Sequence, residues 1–424
     1  GPISTSSGDG VPSLPFQDAD RWTFTAAGAV GNKGNAVELT WSIVPDGTAI
    51  TSNDQLPNET DDPSDLVAFL DGIYGIGPGG NDLTMRPWFD EVESSFNRWS
   101  ELAGITLQYE PNDDGLTPGN GIDETSSPTG QAGVRGDHRL GGHEIDGSFG
   151  VLAYNYFPNH ADMVIDTADG YFNSTSNNSI RLRNVLMHEI GHGLGLAPVE
   201  SSNASFLMEP LISFDGPQLD DILGAHRNYG DVFEKNGGND SSGTATSLGF
   251  IADLGSISIG TDAGDTVVGN AEVDFVSIDD DSDIDYFSFV VGAPSEVDLL
   301  LTPMGPTYNE GPQGGGQSAF NTSELSDLSL EIFDTDGTTS LGASNSGGLG
   351  DAESLTDIGL ASAGTYFVRI SGADDAPQFY QLDISVVTVP EPASIALGLV
   401  AMFGIGLMVI RHRHRRFPGM RFRG

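Results

Sequence analysis

The most informative segment of this sequence is His188-Glu189-Ile190-Gly191-His192, which is followed at once by Gly193-Leu194-Gly195. Residues four apart share one face of a helix, so the two imidazoles can bind one zinc ion. Glu189 is turned partly aside, where its carboxylate can take a proton from a zinc-bound water that then attacks a peptide carbonyl. The motif also occurs by chance on unrelated helices, so its neighbours decide what it means.

The sequence around the motif favours a metal site. A helix is predicted over 181–194, with Ser179 or Asn178 as its cap. Gly195 ends this helix and lets the chain turn back toward the metal. Met208 follows in an apolar turn at 206–210, where a turn that supports the metal is expected, although a single methionine is more often a core residue.

Other periodic stretches predict an α+β domain over 37–235. A helix over 87–103 has one apolar face, and a short helix is predicted over 219–227. Alternating stretches predict strands over 37–44, 105–109, 151–157 and 162–166. Residues 1–36 are expected to form a loose leader, because their first half is rich in Ser, Gly, Pro and Asp.

These features resemble the matrixin-type metzincin peptidases, whose pattern is H-E-x-x-H-x-x-G-x-x-H followed by a turn with a methionine. The residues that match this pattern are His188, Glu189, His192, Gly195 and Met208. The resemblance covers about residues 37–232. It implies a secreted zinc metalloendopeptidase that acts on proteins or peptides, with His188 and His192 as zinc ligands and Glu189 as the catalytic base.

One position departs from the family pattern. The third zinc ligand is expected six residues after His192, and that position is Pro198, which has no side chain that binds metal. Glu200, Glu209 and His226 are possible substitutes, although none has the family spacing and a surface residue is the favoured interpretation of each. Two histidines alone hold zinc weakly and leave extra open positions. The alternative to an active protease is therefore a catalytically impaired metzincin fold that serves as a surface or matrix protein.

The family's second, structural zinc site also departs from the pattern. His143 and Asp146 could begin such a site. The next two histidines would fall near Tyr154 and Val164, neither of which binds zinc, and His160 lies between them out of register. The sequence therefore predicts no second zinc site.

The chain changes character at about residue 236. A linker is predicted over 236–243, and an all-β sandwich over 244–388, with its clearest strands at 285–291, 297–301, 328–333, 365–370 and 379–387. Segments 283–289 and 363–370 resemble strands of the pre-peptidase C-terminal domain, a secreted β-sandwich. Because the linker holds little apolar residue, we expect the first domain to fold without the second.

Two acidic groups are candidate calcium sites, since carboxylate oxygens are the ligands that Ca²⁺ prefers. The first group contains Asp162 and Asp166, and the second contains Asp279, Asp281 and Asp283. A solvated acidic loop is the alternative in both places.

The end of the chain, 389–424, has a distinct order of features. Val389-Pro390-Glu391-Pro392 precedes an uncharged, largely apolar run at 393–410, which is nearly long enough for a transmembrane helix, and an arginine-rich end follows. This order resembles a PEP-CTERM sorting signal. It implies an exosortase-type sorting enzyme as a partner and export to the surface or matrix of a Gram-negative-type bacterium, with a transient or retained membrane anchor. A plain C-terminal anchor is the alternative.

Composition limits the remaining possibilities. The chain has 424 residues, which predicts two or three domains. It holds 17 Lys and Arg against 61 Asp and Glu, a net charge of −44, so the phosphates of a nucleic acid would be repelled. No cysteine is present, which excludes thiolate metal sites and disulfides. We identify no signal peptide within this sequence.

Overall fold

The computed structural model describes residues 18–28, 30–53, 56, 58–117, 129–210 and 214–389. Within these residues no helix is both long and apolar enough to cross a membrane. The predicted transmembrane segment 393–410 and the arginine-rich end lie outside the described residues and stay predictions.

The described chain contains helices in its first half and strands throughout. The helices are α1 (Leu66–Tyr74), α2 (Phe89–Leu102), α3 (Ser176–Gly193) and α4 (Leu219–Tyr229), with short 3₁₀ turns at Leu83–Met85, Gly170–Asn173 and Val232–Glu234. The strands of the first half are β1 (Val37–Ile43), β2 (Ile105–Tyr109), β3 (His138–His143), β4 (Ala153–Asn155), β5 (Asp162–Asp166) and β6 (Val199–Glu200). Those of the second half are β7 (Thr246–Phe250), β8 (Gly255–Ile259), β9 (Ser277–Ile278), β10 (Ile284–Val291), β11 (Ser295–Pro303), β12 (Thr307–Pro312), β13 (Ser318–Asn321), β14 (Leu328–Phe333), β15 (Ser340–Ser344), β16 (Glu353–Leu360), β17 (Gly364–Gly372) and β18 (Gln378–Thr388).

The first half is built on a five-stranded sheet with the order β2-β1-β3-β5-β4. Neighbouring strands are parallel, except β4, which runs antiparallel to β5 at the edge. The apolar face of α2 packs on this sheet, where the Phe96 ring stacks on the Trp41 ring with centroids 4.5 Å apart. Helix α3, which carries the histidine motif, packs against α2 and next to β4. The sheet and α2 together therefore fix the position of the motif.

The regular part of α3 starts where the sequence predicts it. Asn177, Asn178 and Ser179 have positive φ values, so the regular right-handed helix begins only after Ser179. The rest of α3 buries Leu182, Val185 and the apolar residues that follow, in agreement with the predicted periodicity.

The second half forms two facing five-stranded sheets, with the orders β15-β14-β17-β10-β7 and β16-β11-β18-β8, and β9 joins the second sheet by pairing with β18. Alternation explains the packing, because β11 buries Val297, Leu299 and Leu301 and exposes the residues between them. The buried faces of the two sheets form one apolar cluster, as expected for a sandwich.

The two halves share a core, and the independent folding of the first domain stays a prediction. Phe275, Tyr308 and Phe379 of the second half belong to the same apolar cluster as Trp99 and Leu102 of the first. The second half also contributes Ala263, Val268 and Phe320 to this cluster. The polar composition of the linker therefore does not predict the apolar contact between the two halves.

The expected loose leader is wrong for the part of it that the structure describes. Trp22 is fully buried, and its indole N–H donates to the carbonyl oxygen of Gly193 at 2.8 Å. Arg21 donates to the Asn228 carbonyl oxygen at 2.7 Å, and its guanidinium lies over the Tyr229 ring. This segment packs because one tryptophan and one arginine find buried partners, which the polar composition around them does not reveal.

Candidate metal centre

His188 and His192 face each other on α3, with ring centroids 4.7 Å apart. The Nδ1 atom of His188 lies 2.6 Å from the Leu207 carbonyl oxygen, and that of His192 lies 2.7 Å from the Leu196 carbonyl oxygen. A carbonyl oxygen only accepts hydrogen bonds, so in both rings Nδ1 carries the proton and Nε2 keeps its lone pair. Both imidazoles can therefore offer Nε2 to one ion.

Burial sets the protonation of this site. It lowers the pKa of His192 to about 3, with a further contribution from His188, and it also lowers the pKa of His188. Both rings are thus neutral at pH 7, which is the form that binds metal. Burial raises the pKa of Glu189 to about 8, and its Oε2 atom has no hydrogen-bond partner among the described residues.

Two glycines bring the chain close to the motif. A Cβ on Gly191 would lie 2.4 Å from the Met208 sulfur, so the turn at Met208 packs directly beneath the helix between the two histidines. Gly195 has a φ of +96°, and a Cβ there would lie 1.8 Å from the Asp20 carbonyl oxygen. Gly195 and Met208 therefore lie next to the motif, and their role in supporting a metal stays a prediction.

The position expected to hold the third ligand is occupied by Pro198, between two anchored residues. The Leu196 carbonyl oxygen accepts a hydrogen bond from the Nδ1–H of the His192 ring. The backbone N–H of Val199 donates to the Met208 carbonyl oxygen at 3.2 Å. Position 198 therefore lies beside the histidine pair but supplies no metal-binding atom.

The three candidate substitutes have other contacts. Glu200 lies in β6 opposite Gly311, and Glu209 accepts a hydrogen bond from the Ser201 N–H at 3.0 Å. His226 is fully buried, with contacts from its ring nitrogens to the Ser277 hydroxyl and the Leu102 carbonyl oxygen. Both nitrogens of His226 are thus occupied.

Among the described residues, one group of three or more metal-binding side chains has its ligand atoms within 4.8 Å of one another, and it does not include the histidine pair. The structure therefore does not bring Glu200, Glu209 or His226 to His188 and His192. The residues present fit a zinc ion held by two imidazoles, with water in the remaining positions.

Comparison with known proteins shows which family this region is similar to. Residues 73–230 match the family model described as Matrixin. The chain is 29% identical over 177 residues to the "Hatching enzyme" of Paracentrotus lividus, and 31% identical over 101 residues to the "Metalloendoproteinase 4-MMP" of Arabidopsis thaliana. These matches cover 41% and 22% of this chain, and only 26% and 29% of the two relatives. The predicted resemblance to metzincin-type peptidases is confirmed for this region.

A match for the second half is much weaker. The "1.0 Angstrom Crystal Structure of pre-Peptidase C-terminal Domain of Collagenase from Bacillus anthracis" covers 33% of this chain and 95% of its own, with 13% identity and a TM-score of 0.18. A score this low carries no argument about the fold.

A polar cluster surrounds His143, the residue that could have begun a second, structural zinc site. The Nε2 atom of His143 lies 2.7 Å from Glu59 Oε1, and its Nδ1 lies 2.9 Å from the Asp62 carbonyl oxygen. The Tyr154 hydroxyl donates to the same Glu59 oxygen at 2.8 Å, while Val164 packs in a small apolar cluster. Burial lowers the pKa of His143, but the hydrogen bonds to Glu59 and Asp62 outweigh it and raise the pKa overall.

The first candidate calcium pair does not come together. Asp162 and Asp166 lie four residues apart on β5, which separates them by about 13 Å. The Asp166 carboxylate accepts hydrogen bonds from the backbone N–H groups of Asp146, Gly147 and Ala168, so it organises its own loop.

The second candidate group is partly brought together, with two members that the sequence did not indicate. Carboxylate oxygens of Glu234, Asp240 and Asp283 lie within 4.8 Å of one another, and Asp283 accepts the backbone N–H of Asp279 at 2.8 Å. Asp281 is exposed and lies outside this group. The cluster stands where the two halves of the chain meet, since Glu234 ends the 3₁₀ turn that follows α4 and Asp283 precedes β10 of the sandwich.

Burial and crowding perturb these acids strongly. Burial raises the pKa of Glu234 to about 9 and that of Asp283 to about 7, and the charges of neighbouring acids act in the same direction. One carboxylate oxygen of Glu234, one of Asp285 and both amide atoms of Asn239 are buried without a hydrogen-bond partner among the described residues.

Proposed function

We propose that the matrixin region is a zinc metalloendopeptidase module whose zinc ion is held by His188 and His192. The observation that carries this proposal is the pair of Nδ1 contacts to the carbonyl oxygens of Leu207 and Leu196, since they leave both Nε2 atoms for one ion. The matches to the hatching enzyme and the plant metalloendoproteinase support the same activity.

In this proposal the residues of the chain divide the work. A bound zinc would polarise the substrate carbonyl and lower the pKa of a water molecule. Glu189 is buried beside the histidine pair with one free oxygen. A zinc ion bound there would favour the carboxylate form of Glu189, against the effect of burial, and the carboxylate could then accept the proton of such a water and pass it to the leaving amine. Main-chain carbonyl oxygens hold both imidazoles in the metal-binding tautomer.

A second candidate function is that of a surface or matrix protein with a metzincin fold and impaired catalysis. Pro198 favours it, because the structure brings no third protein ligand to the pair within the residues it describes. Two imidazoles hold zinc less firmly than three and leave several loosely bound waters in place of one oriented water.

Zinc affinity and peptide hydrolysis of the full chain distinguish the two candidates. For the protease we expect about one zinc ion per chain, loss of zinc in His188→Ala, and loss of hydrolysis with retained zinc in Glu189→Gln. Glu353→Gln is a control for the same substitution elsewhere, because Glu353 is also buried but lies in the sandwich. Zinc without hydrolysis in the unaltered chain would favour the surface protein, and a chain without zinc would reject the metallopeptidase.

We also propose a calcium ion at the junction of the two halves, bound by Glu234, Asp240 and Asp283. Three converging carboxylates repel one another unless a cation offsets their charge. The buried, unpartnered oxygens of Asp285 and Asn239 nearby are a separate indication, since such atoms are costly to leave without a partner.

Export and sorting are proposed on the sequence alone. The order of Pro390-Glu391-Pro392, an apolar run and an arginine-rich end supports a PEP-CTERM signal read by an exosortase-type enzyme. Protease added to intact spheroplasts is expected to digest the acidic bulk of the chain, and complete protection in sealed spheroplasts would reject this topology.

A further inference from the structure

A hairpin of the second half reaches out of the sandwich and pairs with the matrixin region. Strands β12 and β13 join β6 in a separate three-stranded sheet, in which Gly311 and Pro312 lie opposite Glu200 and Val199. The pairing places the hairpin directly beside the segment that follows Pro198. Strand β6 therefore has no free edge on this side.

Polar side-chain contacts extend this pairing. The Asn309 backbone N–H donates to Asn203 Oδ1 at 2.7 Å, and the Asn309 side-chain amide donates to the Ser202 hydroxyl at 3.1 Å. The hairpin thus holds the loop between β6 and the Met208 turn by hydrogen bonds at both strand and loop positions.

Tyr308 is the central residue of the contact and is 1% exposed. Its hydroxyl donates to Asp220 Oδ1 at 2.6 Å, in the first turn of α4. Its ring packs on Phe206 with centroids 5.0 Å apart, two residues before Met208. One side chain of the sandwich therefore contacts both the start of α4 and the start of the turn beneath the metal site.

Helix α4 continues the contact to the Met208 turn. Asp221, the neighbour of Asp220, accepts hydrogen bonds from the backbone N–H groups of Leu207 at 2.7 Å and Met208 at 3.0 Å. The carbonyl oxygen of Leu207 in turn accepts the Nδ1–H of His188. A continuous set of contacts thus runs from Tyr308 through the turn to a proposed zinc ligand.

We propose that the β12–β13 hairpin is a clamp, and that Tyr308 is a positioning residue that holds the Met208 turn and thereby orients His188. Orientation of a ligand through a second residue is a recognised determinant of metal affinity. In this arrangement the sandwich is part of the metal site's support, so the two halves act as one unit. The clamp rests on the proposed metal site for its consequence, but its effect on the turn does not require a metal.

The test compares Tyr308→Phe with Tyr366→Phe in the full chain. Tyr366 is an equally buried tyrosine whose hydroxyl donates to the Ser362 carbonyl oxygen within the sandwich, so its loss costs a similar hydrogen bond away from the clamp. Amide hydrogen exchange of residues 206–210 is measured without metal. We expect exchange to rise about fivefold or more in Tyr308→Phe, as for the loss of one buried hydrogen bond, and to stay unchanged in Tyr366→Phe.

The consequence for the site is measured with Co²⁺ as a probe, by its affinity and absorption spectrum, and by the NMR signal of the His188 ring. Tyr308→Phe should bind Co²⁺ about fivefold or more weakly with an altered spectrum, while Tyr366→Phe should match the unaltered chain. Faster exchange with unchanged Co²⁺ binding and an unchanged His188 signal would overturn the proposal, as would unchanged exchange. If the unaltered chain bound no metal, the proposed metallopeptidase activity would be rejected. Amide exchange and the His188 NMR signal, both measured without metal, would still test the proposal that the hairpin is a clamp.

Discussion

Gly191 packs against Met208 with no room for a side chain, since a Cβ on Gly191 would lie 2.4 Å from the Met208 sulfur and 3.2 Å from the Trp99 ring. Met208 is buried and its backbone is held by Asp221, so any shift of the sulfur must be accommodated within a packed core. The glycine between the two histidines is therefore required by packing, independently of the metal.

Gly191→Ala should lower the free energy of unfolding by about 1–3 kcal/mol, because the extra methyl overpacks a buried contact. Urea unfolding measures this change. Gly72→Ala is the matched control, since Gly72 also lies in a helix but has no atom within 4 Å of a built Cβ, and it should be neutral or stabilising by up to about 1 kcal/mol. Adding Met208→Ala should offset part of the loss at 191. Equal losses in the Gly191 and Gly72 variants would contradict the packing argument.

His138 gives a prediction about pH. It is fully buried next to Trp22, and neither ring nitrogen has a hydrogen-bond partner among the described residues. Burial lowers its pKa from 6.5 to about 3. The neutral ring's contribution to stability is therefore fully present above pH 6.5 and is lost as the pH falls toward 3, by at most about 1.4 kcal/mol per pH unit.

His138→Leu should flatten this acid limb, so that the variant becomes more stable than the unaltered chain at about pH 4.5 even if it is slightly less stable at pH 7. Chemical unfolding at a series of pH values measures the difference. His143→Gln is a contrast, because the pKa of His143 is raised and its charged ring stabilises the fold below pH 6.5. Parallel curves for His138→Leu and the unaltered chain would show that His138 does not control acid stability.

The carboxylates of Glu234, Asp240 and Asp283 are predicted to lower the melting temperature without calcium and to raise it when calcium is bound. The pKa of Asp283 is raised from 3.8 to about 7, so without a cation its contribution to stability is lost as the pH rises through this range. In chelator at pH 8, Asp283→Asn should raise the melting temperature by about 2 °C or more, and calcium should stabilise only the unaltered chain.

Asp281→Asn is the matched control for this experiment, because Asp281 lies in the same loop but outside the carboxylate group. It should keep the calcium response and the melting temperature of the unaltered chain. A calcium response that survives in Asp283→Asn, or a response absent from the unaltered chain, would reject the proposed site.

Local patterns predicted the elements whose residues interact with near neighbours. The strands at Ile105–Tyr109, Asp162–Asp166 and Leu328–Phe333 have the predicted bounds, because alternation and β-branched residues specify them directly. Strand β3 (His138–His143) was missed, since it is a central parallel strand with two glycines and no alternation. Helix α1 (Leu66–Tyr74) was also missed.

In the candidate site, too, local spacing predicts some features and long-range contacts determine the others. The spacing of His188, Glu189 and His192 on one helix predicted their arrangement correctly, because helix geometry alone fixes it. The convergence of Glu234 and Asp240 with Asp283 depends on how the matrixin region meets the sandwich, and no local pattern carries that information. The contact of Tyr308 with Asp220 spans 88 residues for the same reason.

Position 198 gives the last prediction. Leu196 accepts the His192 N–H on one side of Pro198, and Val199 donates to the Met208 carbonyl oxygen on the other, so residue 198 is held beside the histidine pair at both ends. A histidine there would supply the third imidazole and leave one open position for water. Pro198→His should therefore raise zinc affinity by about tenfold or more and raise peptide hydrolysis with it.

The double variant Pro198→His with Glu189→Gln should keep the tighter zinc binding and lose the hydrolysis, because the ligands remain and the base is gone. Ala197→His is the matched control for an added histidine in the same loop. Zinc affinity that rises equally in both histidine variants, or in neither, would show that residue 198 does not face the metal.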